Sequence, residues 1–139
     1  MTLDLKQFAA TPRVADGATG TALQKHGLPA EQCPELWQAD NPAAVERVAR
    51  SYVDAGSDVI LTNTFGGNRF ALEAHGAADR AAGLCDAAAQ IARRAAGEAA
   101  KVFGSIGPTG KVVMMGEVGR DELSAAFAES AAALARGGV

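Results

Sequence analysis

The sequence predicts an α/β fold built on a parallel sheet, and two observations carry that reading. Three short apolar runs, each ending in a small, polar, glycine-rich turn, read as buried strands. They are Val14-Ala15 into Asp16-Gly17-Ala18-Thr19-Gly20-Thr21, Val59-Ile60-Leu61 into Thr62-Asn63-Thr64-Phe65-Gly66-Gly67, and Val102-Phe103 into Gly104-Ser105-Ile106-Gly107-Pro108-Thr109-Gly110. Segments of helical period alternate with them, and strand–helix–strand order of this kind joins parallel strands through right-handed crossovers. Such folds bind ligands on the loops that follow the carboxyl ends of their strands. Glycine there admits close backbone approach, while Asp, Asn and Thr orient the ligand. The three loops are therefore the expected place of the chemistry.

Taken in order, the first strand is followed by a helix start at Asn41-Pro42, the asparagine as N-cap and the proline at the first helical position. Val45, Val48, Tyr52 and Val53 then share a face, and Gly56 stops the helix. After the second strand, Arg80 to Ala100 is alanine-rich, with Leu84, Ala88, Ile91 and Ala95 on one stripe. A third helix is expected from about Asp121, with Leu123, Phe127, Ser130 and Leu134 on one face, ending at Gly137-Gly138. The joins Ala55-Gly56-Ser57-Asp58-Val59 and Arg136-Gly137-Gly138-Val139 resemble each other, so the chain is expected to stop where a fourth strand would start. No linker or low-complexity stretch divides it, and residues 1–139 read as one unit. Each βα unit takes about 40 residues, and eight would make a domain of roughly 300, within the range of eight-fold barrels. Either the sequence is part of such a domain or its strands pair with another copy.

Composition narrows the function classes. The 139 residues are 48% hydrophobic and 21% charged, with a net charge of −3 and no basic stripe. Arg93-Arg94 is the one adjacent arginine pair and reads as a solvated helix face, so nucleic-acid binding is not expected. The segment Met1–Lys6 lacks a basic region followed by an apolar core, and no apolar run reaches the roughly 18 residues that span a bilayer. Cys33 and Cys85 lie far apart, and in a chain without an export signal they read as reduced thiols. A cytoplasmic protein without a membrane partner is expected.

Two nucleotide motifs fail on spacing. Gly107-Pro108-Thr109-Gly110-Lys111 resembles part of a P-loop, but its first glycine would fall at Ser105 and Val112 follows the lysine. Gly17-Ala18-Thr19-Gly20 lacks the dinucleotide spacing. Cys33, Cys85, His26 and His75 show none of the short spacings of structural zinc, and Cys85 reads as a buried thiol on a helix. Asp16, at the end of the first strand, has two readings. Its carboxylate either closes an Asx-type turn on nearby backbone N–H groups or faces the strand-end pocket, where it suits a substrate ammonium. Asn63 at the second strand exit has the same two readings.

Together, Asp16–Thr21, Gly56–Phe65 and Gly104–Gly110, with Ile91-Ala92-Arg93-Arg94-Ala95-Ala96-Gly97-Glu98 between them, resemble the homocysteine S-methyltransferase family in order and spacing over nearly the whole chain. The wording is most similar to the homocysteine-binding module of its cobalamin-dependent members. The resemblance implies a (β/α)₈ barrel of which this chain covers about the first three βα units, truncated before the fourth strand. It implies methyl transfer to homocysteine to form methionine. A zinc ion there holds the substrate sulfur as thiolate, because a thiol is a poor nucleophile until deprotonated. The methyl donor is a methylcorrinoid or a positively charged nitrogen or sulfur. By resemblance, Asp16 binds the homocysteine ammonium and Gly17 offers a backbone N–H to its carboxylate. Asn63 and Thr64 face the same pocket.

One departure is large. The family's three zinc-binding cysteines belong to the second half of the barrel, two of them adjacent, and this chain has no such pair. It is expected to hold part of the substrate cradle and neither a catalytic residue nor a metal ligand. Residues 1–139 alone are thus expected neither to bind zinc tightly nor to transfer methyl groups. The rival readings are an inactive half-barrel that self-associates through open sheet edges, and a small phosphate- or nucleotide-binding α/β domain.

Overall fold

The computed structural model describes residues 3–139; Met1 and Thr2, the start of the segment searched for a signal, lie outside it. Two short parallel strands, β1 (Val59–Leu61) and β2 (Lys101–Phe103), pair in register Val59–Lys101, Ile60–Val102 and Leu61–Phe103. The expected first strand is reduced to a single parallel bridge between Ala15 and Val59. There the Val14 carbonyl accepts from Asp58 N and Val59 N, and Asp16 N donates to the Val59 carbonyl. The ladder stops after those bonds because Val14-Ala15 is a two-residue apolar run and forms the free edge of the sheet. Val14 is accordingly 61% exposed.

The helices are α1 (Leu5–Phe8), α2 (Thr19–Lys25), α3 (Trp37–Asp40), α4 (Pro42–Asp54), α5 (Arg69–Glu73), α6 (Ala81–Ala96) and α7 (Arg120–Gly137), with α4 and α6 packed on one face of the sheet and α1 beside the other. The start of α4 follows the sequence expectation, with Asn41 Oδ1 accepting from Ala44 N at 3.3 Å and Pro42 at the first helical position. Helix α6 ends at Ala96, four residues short of the alanine-rich run. Gly97 there adopts a positive φ of 53°, which breaks the helix and turns the chain toward β2.

The core lies between sheet and helices. Ile60 and Val102 project from the strands onto Ala92, Ala95, Ala96 and Ala100, while Leu23, Trp37, Val45, Val48 and Ile91 fill the space between α2, α3, α4 and α6. Each fully buried leucine, isoleucine or valine contributes about 1.5–3 kcal/mol. The stripe Leu84, Ala88, Ile91 and Ala95 is buried as expected. Helix α7 is rotated from the expected face. Its buried residues are Ala126, Ser130, Ala133, Leu134 and Gly137, and Leu123 and Phe127 are only half-buried. Small residues win the interface because α7 packs closely on α6, where Ala133 and Leu134 meet Cys85 and Ala89.

The other face of the sheet is open. Ala15, Val59, Leu61 and Phe103 share it, and with Leu5 and Phe8 of α1 they line a groove of about 470 Å³. Among the described residues, no helix is long and apolar enough to cross a membrane.

Candidate functional site

The loops that leave Ala15, β1 and β2 meet at the carboxyl ends of the strands around a cleft of about 450 Å³. Its walls include Gly17, Glu35, Asn63, Thr64, Gly66 and Ser105. All four residues that the sequence nominates, Asp16, Gly17, Asn63 and Thr64, therefore gather at one end of the sheet, with Asp16 just beneath the cleft.

Thr64 is 2% exposed and its hydroxyl is committed. Ser105 N donates to Thr62 Oγ1 at 2.9 Å, and Thr64 Oγ1 donates to the Ser105 carbonyl at 2.7 Å. The 2.6 Å bond between the two threonine hydroxyls must then run from Thr62 to Thr64, since Thr64 has spent its one proton. This cycle ties the end of β1 to the end of β2. Asn63 is tied in the opposite direction. Its amide Nδ2 donates to the Pro34 carbonyl at 2.9 Å and to Gln38 Oε1 at 2.8 Å, and Gln38 Nε2 returns a bond to the Asn63 carbonyl at 2.7 Å. Asn63 thus makes no Asx turn on its own loop; its amide ties the cleft wall to the Pro34–Gln38 segment.

Asp16 makes no Asx turn within its own loop. Its Oδ2 accepts from Leu61 N across the sheet at 2.9 Å, joining the first strand to the end of β1. Its Oδ1 is buried without a hydrogen-bond partner. Asp16 borders a void of about 10 Å³, on the order of one water, whose walls Thr19, Leu61 and Asn63 also belong to the cleft. Burial raises the Asp16 carboxyl above its ordinary value of 3.8, partly offset by the bond from Leu61 N. Gly17 lies against Tyr52, whose phenol would stand 3.1 Å from any Cβ there, and Tyr52 Oη donates to the Ala18 carbonyl at 3.0 Å. Helix α4 thereby fixes the first loop.

Glu35 belongs to the site although no sequence pattern singles it out. It sits in a one-turn 3₁₀ helix at Pro34–Leu36, is 6% exposed, and reaches the cleft. Its Oε1 accepts from Gly66 N at 2.6 Å and its Oε2 from the Cys33 thiol at 3.0 Å. No periodicity marks it, and only the local Cys-Pro-Glu wording sets the stretch apart. The roles of Gln38 and Tyr52 at the site are likewise not marked in the sequence, because their partners lie more than twenty residues away.

Neither cysteine is poised as a metal ligand. Burial, then the neighbouring Glu35, pushes the Cys33 thiol up to about 12, and burial pushes Cys85 up to about 11. Cys85 donates to the Gly67 carbonyl at 3.0 Å, and both thiols are free. Among the described residues, no group of three or more His, Cys, Asp or Glu could hold a metal ion. In the third loop Lys111 Nζ lies 3.8 Å from Glu73, so its charge is paired with that carboxylate.

Comparisons with known proteins agree on one family. The family model described as homocysteine S-methyltransferase matches residues 13–139. The chain is 35% identical over 137 residues to methionine synthase of Mycobacterium tuberculosis (strain ATCC 25618 / H37Rv), covering 90% of this chain and 12% of that protein. It is 34% identical over 146 residues to methionine synthase of Mycobacterium leprae (strain TN), covering 96% of this chain and 12% of that one. Among solved structures, the metallated form of the homocysteine methyltransferase MmuM from Escherichia coli superposes with a TM-score of 0.75 at 22% identity. That match covers 97% of this chain and 54% of MmuM; the oxidized form gives 0.70 at 23% identity, covering 91% and 50%. The chain thus spans about an eighth of the curated relatives and about half of these structures, and it belongs to the homocysteine S-methyltransferase family.

Proposed function

We propose that residues 1–139 form a homocysteine-binding face, the first three βα units of a (β/α)₈ barrel that makes methionine by methyl transfer to homocysteine. The observation that carries this reading is Asp16 Oδ1, a buried carboxylate oxygen with no partner, set at the strand ends beside the cleft. A buried acceptor left unpaired is costly, and a substrate ammonium drawn to Asp16 would relieve that cost. Gly17 offers its backbone N–H to the substrate carboxylate. Asn63 through its amide nitrogen and Thr64 through its hydroxyl are bonded to protein groups and contribute the shape and rigidity of the wall.

The family resemblance implies zinc, which in such enzymes holds the homocysteine sulfur as thiolate. The residues present do not fit it: both thiols are buried, bonded to protein acceptors and held in the protonated form. The share of the reaction that falls to these residues is to bind and orient the substrate amino acid. Neither the metal nor a methylcorrinoid or other cationic methyl donor enters that share. Calorimetric titration of the chain with L-homocysteine tests the reading. Saturable binding that Asp16→Ala abolishes supports it; equal heats for both proteins would refute it.

A second reading rests on the open sheet face. Leu61 is 42% exposed there, beside a groove lined by Phe8 and Phe103, and such a face favours self-association. A mass by light scattering that rises with concentration, and falls on Leu61→Lys, would favour it.

A further inference from the structure

We infer that Glu35 is a positioning residue for the strand-end cleft: its carboxylate holds the Gly66 amide and thereby sets the Thr64–Gly67 wall against which a ligand would lie. This deepens the homocysteine-binding reading and rests on it for the identity of the ligand.

Both Glu35 oxygens act as acceptors, one from the Gly66 backbone N–H and one from the Cys33 thiol. It is 6% exposed, and among the described residues no Lys, Arg or His lies within ion-pair distance. A buried carboxyl group of this kind is costly unless its oxygens are hydrogen-bonded. The bond to Gly66 N, at 2.6 Å, is short even for a charge-assisted one.

The position of Gly66 explains why that bond matters. A Cβ on Gly66 would stand 3.0 Å from Glu35 Oε1, so the backbone approaches the carboxylate as closely as glycine allows. One residue on, the Gly67 carbonyl accepts from Cys85 Sγ at 3.0 Å and from Ser130 Oγ at 2.9 Å. One residue back, Phe65 is 66% exposed and lines the cleft. The turn is therefore clamped on its outer side by α6 and α7 and on its inner side by Glu35. Pro34 O and Gln38 complete the strap by holding Asn63. Without Glu35 the Gly66 amide loses its partner and the Cys33 thiol its acceptor, so the wall is loosened at Gly66 while the bonds from Cys85 and Ser130 to Gly67 remain.

Three proteins test this: Glu35→Ala, Glu35→Gln and Val48→Ala, the last a core truncation away from the cleft that controls for lost stability. Amide hydrogen exchange is read without ligand, and L-homocysteine affinity is read by titration below each melting transition. Glu35→Ala is expected to speed exchange at Gly66 at least about tenfold relative to Val48→Ala, and to weaken homocysteine binding by a similar factor. Glu35→Gln keeps an acceptor for Gly66 N and is expected to restore both to within about threefold of wild type. Equal Gly66 exchange in Glu35→Ala and Val48→Ala would overturn the inference. So would an affinity loss in Glu35→Gln as large as in Glu35→Ala, which would assign the charge to direct ligand contact. Failure of the wild-type chain to bind homocysteine would sink the homocysteine reading alone, and Gly66 exchange would still decide the role of Glu35.

Discussion

Gly107 packs directly on the carbonyl oxygen of Phe65, so closely that a Cβ at Gly107 would overlap it. This contact joins the loop after β2 to the loop after β1, alongside the Thr62–Thr64–Ser105 hydrogen-bond cycle and the bond from Asn68 Nδ2 to the Pro108 carbonyl at 3.2 Å. The cleft wall is thus built from two strand ends locked as one piece. Gly107→Ala must separate them, and overpacking of this kind costs about 1–3 kcal/mol. Urea denaturation checks the loss; wild-type stability in the variant would show that the loops separate freely.

Thr64→Val tests the hydroxyl cycle without changing the side-chain shape. It leaves the Ser105 carbonyl and the Thr62 hydroxyl without their Thr64 partner, at an expected loss of about 1–3 kcal/mol. Thr64→Ser keeps the hydroxyl and should lose about 1 kcal/mol, for the missing methyl. Equal losses in the two variants, read from their denaturation midpoints, would show that the cycle adds nothing.

Asp16 should make stability depend on pH in a defined direction. Its carboxyl is raised above 3.8 by burial, so the folded protein holds that proton more tightly than the unfolded chain. The contribution is fully present below 3.8 and is lost as pH rises through the raised value. Asp16→Asn escapes this loss, so its stability relative to wild type should grow between about pH 3 and pH 7. Paired urea melts across that range measure the difference, and a flat or falling difference would contradict the assignment.

Cys33 and Cys85 should behave as inert thiols. With values of about 12 and about 11 and almost no exposed surface, neither presents a thiolate near neutral pH. A disulfide reagent should label both only after denaturation, and equimolar zinc should be removed by a weak chelator. Rapid native labelling, or stoichiometric zinc retained against the chelator, would overturn this.

The parts of the molecule legible in the sequence are those written locally. A strand end followed by glycine and small polar residues marks itself, which is why Asp16, Gly17, Asn63 and Thr64 stand out and do gather at one end of the sheet. Asn41-Pro42 and the Leu84–Ala95 stripe announce α4 and α6 for the same reason. The first strand is shorter than its wording suggests because Val14-Ala15 has a sheet neighbour on one side only. The ties made by Glu35, Gln38 and Tyr52 cannot be read, since each reaches a loop 25 to 34 residues away; the periodicity of α4 marks Tyr52 as a core-face residue but not its hydroxyl partner. What those polar groups bond to is set by tertiary packing. Hence Asn63 and Thr64 fasten the wall they were expected to line.

The most direct test of homocysteine binding at the strand ends is an amide-resonance map of the chain titrated with L-homocysteine. Saturable shifts confined to the three strand-end loops are expected, strongest at Gly17 and at Thr64–Gly66, and absent in Asp16→Ala. Shifts confined to the open sheet face around Leu61 and Phe103, or none at millimolar ligand, would contradict it.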